Sequence, residues 1–144
     1  MTTARATFML YLATAISAAT GLAMMLAVLF DDQLFIAFFL DLAFLPLDGA
    51  QAMMDDAARL TTAISGGLLF GFAVMAWQVT REVYRRDQAA GRRILLPAII
   101  GWFVVDGSGS LAAGAPFNVV LNTAFLALFL VPLLLNHRQS APAV

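Results

Sequence analysis

One carboxylate stands apart in this sequence. Asp106 follows the apolar run Phe103-Val104-Val105 and precedes Gly107-Ser108-Gly109-Ser110, with Asn118 and Asn122 beyond the next turn. An ionisable group inside an apolar span is costly, so it needs a partner, a water-filled cavity or a function. Trp102 at i−4 and Ser110 at i+4 share a helix face with Asp106, and the small Gly109 and Ser110 leave a gap above the carboxylate. Hydroxyls and carboxamides beside a carboxyl group suit recognition of a polar ligand or carriage of a proton. They can also serve only as a hydrogen-bonded staple between two helices. Catalysis has less to stand on. The chain has no P-loop, GxSxG, HExxH or Cys–His pair, and Asp with Arg alone lacks a metal or a nucleophile. No metal site is expected either: there is no Cys, His137 is remote from Asp106, and Met53-Met54-Asp55-Asp56 has no nearby His. No cofactor can be named from these residues.

The elements that must position this group are apolar helices. Of 144 residues, 62% are hydrophobic and 12% charged, and the mean hydropathy is +0.88, which makes a bilayer the better solvent. A formal net charge of −1 argues against a nucleic-acid partner, because phosphate binding needs a basic surface. The first span is expected over about 7–30, long enough for a hydrocarbon core of ~30 Å. Ala13-Thr14-Ala15 resembles a signal-peptide cleavage site, but the apolar run continues well past it, as in a retained anchor. Residues 34–47 are too short to cross and are broken by Asp41 and Pro46; they read as a short interfacial helix with Phe35, Phe38 and Phe39 facing lipid. Further spans are expected over 60–79, 94–113 and 116–135, the last two joined by a turn at Gly114-Ala115-Pro116. Thr80 to Arg93 reads as a charged loop edged by Trp77 and Tyr84, with Pro97 in the first turn of the third span. The fold class is therefore an all-α, up-down four-helix membrane bundle in one domain, 1–144, carrying a short interfacial helix in its first outer loop.

Arg59, Ala63, Gly67 and Gly71 follow one another at i, i+4 on the second span. Small residues so spaced let a neighbouring helix approach closely, so Ala63, Gly67 and Gly71 are expected to mark packing within the monomer, with a dimer seam as the alternative. Rise alone places Asp106, thirteen residues past Arg93, about 20 Å from one membrane face and 10 Å from the other. Asn122, six residues past Pro116, lies about 9 Å inward from that nearer face. Ser65 falls at a similar level on the second span, and Thr20 somewhat deeper on the first. Every span thus offers one polar side chain near one depth. Arg59 would hang at the rim, either paired across the bundle with Asp106 or locally with Asp55 or Asp56. The candidate ligand-binding set is Asp106, Asn122, Asn118, Ser110, Arg59, Trp102 and Ser65.

Arg5, Arg81, Arg85, Arg86, Arg92, Arg93 and Arg138 fall on one side of a four-span chain, and the acidic stretch from Asp31 to Asp56 on the other. The excess of arginine marks the cytoplasmic side, with both termini inside. The composition, rich in Ala and Arg and free of Lys, is that of a GC-rich bacterial genome.

Arg59 opening the second span, followed by Gly66-Gly67 and Gly71, and the block Gly101-Trp102-Phe103-Val104-Val105-Asp106 with Ser110, Gly114, Pro116, Asn118 and Asn122, carry a resemblance. Over Asp48 to Leu135 the pattern resembles the small four-helix bacterial membrane proteins grouped around the DoxX-like families, in an uncharacterised proteobacterial branch. The resemblance implies a compact inner-membrane bundle. DoxX itself is associated with quinone-linked oxidation, yet no motif carries a quinone site onto particular residues of this chain. Three functions follow as expectations: non-enzymatic binding of a small or lipid-like ligand at Asp106, an accessory subunit of a larger membrane complex, or a minimal proton-coupled transporter. The partners they imply are the bilayer, a small-molecule or lipid ligand, and a membrane-protein partner or a second copy of the chain.

Overall fold

The Thr2 hydroxyl accepts the Arg5 N–H at 3.4 Å and so opens helix α1, Thr3–Leu29. A shorter helix α2, Gln33–Phe44, follows. Asp55 caps α3, Asp56–Val79, by accepting the Ala58 N–H at 2.6 Å. A π-helical turn, Thr80–Tyr84, prolongs α3. Asp87 caps α4, Gln88–Ala112, through the Ala90 N–H at 2.9 Å, and α5 runs Pro116–Leu135. This computed structural model describes residues 1–30, 33–49 and 55–135, without the side chains of 33–36. Asp31, Asp32, the orientation of Phe35, Met53, Met54 and the tail with His137 and Arg138 lie outside the described residues.

Four helices are long and apolar enough to cross a membrane: Thr3–Leu29, Asp56–Tyr84, Gln88–Ala112 and Pro116–Leu135. Their surfaces fit lipid. Leu68 and Val105 are 71% and 74% exposed among many large apolar side chains, a surface that lipid tails solvate and water does not. The chain is an all-α, multi-pass membrane protein with a four-helix bundle, and strands do not occur among the described residues.

The bundle is not packed evenly along its length. At the end that carries the arginines, all four spans share one core: Ala6, Leu10 and Ala13 of α1, Ala76 of α3, Tyr84 of the π turn, Leu95 and Ile99 of α4, and Phe129 and Leu133 of α5. Toward the acidic end burial falls on small or polar residues, among them Ser17, Gly21, Gly66, Gly107 and Ser110. There α1 pairs with α3 and α4 with α5. Helix α2 packs on α5 and on the end of α1, where Leu40, Val28 and Ala58 surround Ala27.

Several expectations are corrected here. The residues between Thr80 and Arg93 are mostly helical, because long charged side chains do not oppose a helix, and only Arg85–Asp87 interrupt it. Pro97 therefore lies well inside α4 rather than in its first turn, and it denies the Arg93 carbonyl its i+4 donor. Tyr84 is a core residue at 1% exposure, not an interfacial aromatic. Asp41 does not break α2; it is buried within it and accepts the Gly49 N–H at 2.7 Å. The α1–α3 contact also uses a different face of α3. A Cβ on Gly66 would stand 2.7 Å from the Gly21 carbonyl oxygen, so the two backbones touch there. Gly67 and Gly71 are exposed with nothing within 4 Å of such a Cβ, and Ala63 is half-buried. The buried residues Gly66, Ala73 and Thr80 are spaced by seven, the repeat of a shallow crossing between helices. An i, i+4 ridge drifts off such a seam.

A polar ladder between the last two helices

Helix α4 ends in a Schellman turn that sets the next helix against it. Gly114 takes the left-handed conformation (φ 77°), its N–H donates to the Leu111 carbonyl at 3.1 Å, and the Ala115 N–H donates to the Ser110 carbonyl at 2.9 Å. Pro116 then starts α5, where a missing N–H costs nothing. The tight reversal brings equal depths of α4 and α5 face to face.

Three rungs result. Nearest the turn, the Asn118 Nδ2 donates to Ser110 Oγ at 2.8 Å, and that hydroxyl donates to the Asp106 carbonyl at 2.8 Å. One turn deeper, the Asn122 Nδ2 donates to Asp106 Oδ2. Below it the Trp102 ring meets Phe125, centroids 6.4 Å apart, and closes the ladder toward the shared core. Gly107 is buried on the same face, where a Cβ would stand 3.9 Å from Val119 Cγ1, an ordinary contact. The matching depths of Asp106 and Asn122 are thus realised as a direct bond between consecutive helices. Phe125 escaped the sequence reading, although it lies three residues from Asn122 on the same face.

The ladder leaves one group unengaged. Among the described residues Asp106 Oδ1 accepts no hydrogen bond, whereas Oδ2 is held by Asn122. No fully buried side-chain oxygen or nitrogen among the described residues lacks a partner, so Oδ1 is not completely enclosed by the protein. Asp106, Asn118 and Asn122 are half-buried and Ser110 is 9% exposed.

Other members of the expected constellation stand elsewhere. Ser65 is exposed on α3 and does not join the ladder. The Thr20 hydroxyl donates to its own helix, to the Ile16 carbonyl at 3.0 Å. Thr61, Ser108 and Thr123 do the same, which removes their need for partners in a nonpolar solvent. Arg59 does not reach Asp106. Its Nη2 donates to the Val28 carbonyl at 3.3 Å, one of the orphan carbonyls at the end of α1. The ring of polar groups expected from all four spans is therefore a two-helix ladder. No family model matches this chain, and neither a curated protein nor a solved structure matches it.

Proposed function

We propose that this chain is a small bacterial inner-membrane protein of the DoxX-like kind that binds a small or lipid-like ligand without chemical conversion, through Asp106. The observation that carries the reading is the unengaged Oδ1 of a carboxyl group whose other oxygen is fixed by Asn122. A group oriented on one side and unengaged on the other is preorganised for a donor such as a hydroxyl or an ammonium. Trp102 and Phe125 offer apolar surface beneath it for the ligand's body. The arginine excess at the other end of the bundle makes that end cytoplasmic, which puts both termini inside and the ladder nearer the periplasmic face. Extraction of the purified protein with organic solvent, followed by mass identification of what it carried, tests this reading. A specific molecule should accompany the wild type and be lost from Asp106→Asn; equal carriage by both would end it.

A second reading is an accessory subunit of a larger complex. It is favoured by the open α3 face at Gly67 and Gly71, where a neighbouring helix could approach without steric cost. Gentle extraction followed by isolation of a specific stoichiometric partner, dissociated by Gly67→Leu, would move the assignment to this reading.

A further inference from the structure

At the opposite end of the bundle α3 changes its winding. The Arg85 N–H donates to the Thr80 carbonyl at 3.1 Å, an i→i+5 bond that closes the π-helical turn Thr80–Tyr84. The turn closes the C-terminal end of α3, a place where π turns are common helix endings. Here the turn keeps Thr80 and Tyr84 buried while the exposed Arg81, Glu82, Arg85 and Arg86 border an open surface concavity of about 390 Å³. The frame is rigid. A Cβ on Gly91 would lie 2.6 Å from Tyr84 Cα, so α4 is pressed directly on the turn, and Gln88 Nε2 ties α4 to Thr3 of α1 at 2.6 Å.

The charges around this concavity do not cancel. Glu82 is shared, with Oε1 at 2.9 Å from Arg81 Nε and Oε2 at 3.0 Å from Arg86 Nη2. Arg85 has no acidic partner among the described residues, and the nearby Asp87 carboxylate caps α4. Three guanidinium groups thus face one carboxylate, a surplus of two positive charges. Val79 before the turn and Ile94 after it bound the apolar lengths of the two spans, which places the concavity at headgroup level. Trp77, four residues before Arg81, is 40% exposed and offers apolar surface on the membrane side.

We propose that this concavity binds the phosphate of an anionic phospholipid headgroup, held by Arg85 together with the Arg81 and Arg86 groups that Glu82 positions. Guanidinium forks match phosphate oxygens, and a basic pocket at a helix turn is a known form of headgroup recognition. The site differs from the Asp106 ladder in place and in charge, so each can fail without the other.

Nanodiscs holding equal amounts of phosphatidylglycerol and phosphatidylcholine, followed by native mass spectrometry, supply the test. The wild type should retain phosphatidylglycerol in preference. Arg85→Gln should lower that preference about fivefold, the loss expected for one arginine near a membrane surface. Glu82→Gln should lower it despite the added positive charge, because Arg81 and Arg86 lose the carboxylate that holds them; a rise would mark a diffuse basic surface. The pair Arg92→Gln and Arg93→Gln should cost less than the pair Arg81→Gln and Arg85→Gln, although both remove two charges. Equal losses from the two pairs, or no response to Glu82→Gln, would overturn the site in favour of a diffuse basic surface. Displacement of the lipid by excess inorganic phosphate would overturn the lipid assignment and leave a free-phosphate site; persistence of the adduct supports the lipid.

Discussion

A one-residue comparison on α3 tests the packing most sharply. Ala at position 66 would put a Cβ 2.7 Å from the Gly21 carbonyl oxygen, 3.0 Å from Met24 Cβ and 3.2 Å from the Met25 nitrogen. The first and third of these are backbone atoms, which cannot rotate away. To restore an ordinary contact of 3.4 Å, the backbones of α1 and α3 must part by 3.4 − 2.7, or 0.7 Å. A gap of that size forfeits about a quarter to a half of the dispersion energy of each contact along the seam. Overpacking of this kind costs about 1–3 kcal/mol. Ala at position 67 meets nothing within 4 Å, so Gly67→Ala should stay within about 0.5 kcal/mol of wild type. Unfolding by sodium dodecyl sulfate in mixed micelles, followed by tryptophan fluorescence, reads both. Trp77 is a suitable reporter, since its ring lies 4.4 Å from that of Tyr11 across the same pair of helices. If Gly67→Ala loses as much as Gly66→Ala, or if both are silent, the Gly21–Gly66 contact is not what joins α1 to α3.

The remaining predictions concern the ladder, the turn and the topology. Asn122→Ala removes the donor to Asp106 Oδ2 and should cost about 0.6 kcal/mol, and at most about 1.7 kcal/mol, in the same unfolding assay, the average and upper values for hydrogen bonds between membrane helices; a silent variant would mean that the bond adds nothing to α4–α5 association. Gly91→Ala forces a Cβ to 2.6 Å from both Tyr84 Cα and Cβ, so its melting temperature in detergent should fall further than that of Gly66→Ala, and an unchanged value would show that the π turn yields. Because the chain has no cysteine, single replacements report topology without background: Asp48→Cys should react with an impermeant maleimide on intact cells and Arg85→Cys should not, and the reverse pattern would invert the orientation.

Although the helices run on past the apolar stretches at 80–84 and 88–93, the number and antiparallel order of the spans are legible in the sequence, because hydropathy alone fixes them once lipid is the solvent. So is the Asp106–Asn122 rung, which follows from counting residues on either side of a Gly-Ala-Pro turn. What each helix turns inward is less legible. In water an apolar stripe marks the buried face, but in lipid both faces are apolar and that signal is gone. Gly66 and Gly67 are adjacent and chemically identical, and only the seven-residue seam through Ala73 and Thr80 decides between them. Ser65 and Thr20 misled for a related reason: a hydroxyl on a membrane helix can satisfy itself on its own backbone, as Thr20 does, and so need not point to a site. Arg59 was placed at the right end of α3, yet the orphan carbonyls of α1 lie closer to it than the carboxylate two helices away. The π turn has no signature in composition at all; Gly91 of α4 lies directly against it at Tyr84.

The claim on which this account rests is that the free oxygen of Asp106 holds a molecule drawn from the membrane. Native mass spectrometry of the wild type and of Asp106→Asn, released from the same detergent, measures it directly. The account predicts a discrete adduct of constant mass on the wild type and its loss from the variant, with both proteins equally helical. The same adduct at the same occupancy on both, or a bare wild type, would leave the ladder as a joint between two helices and nothing more.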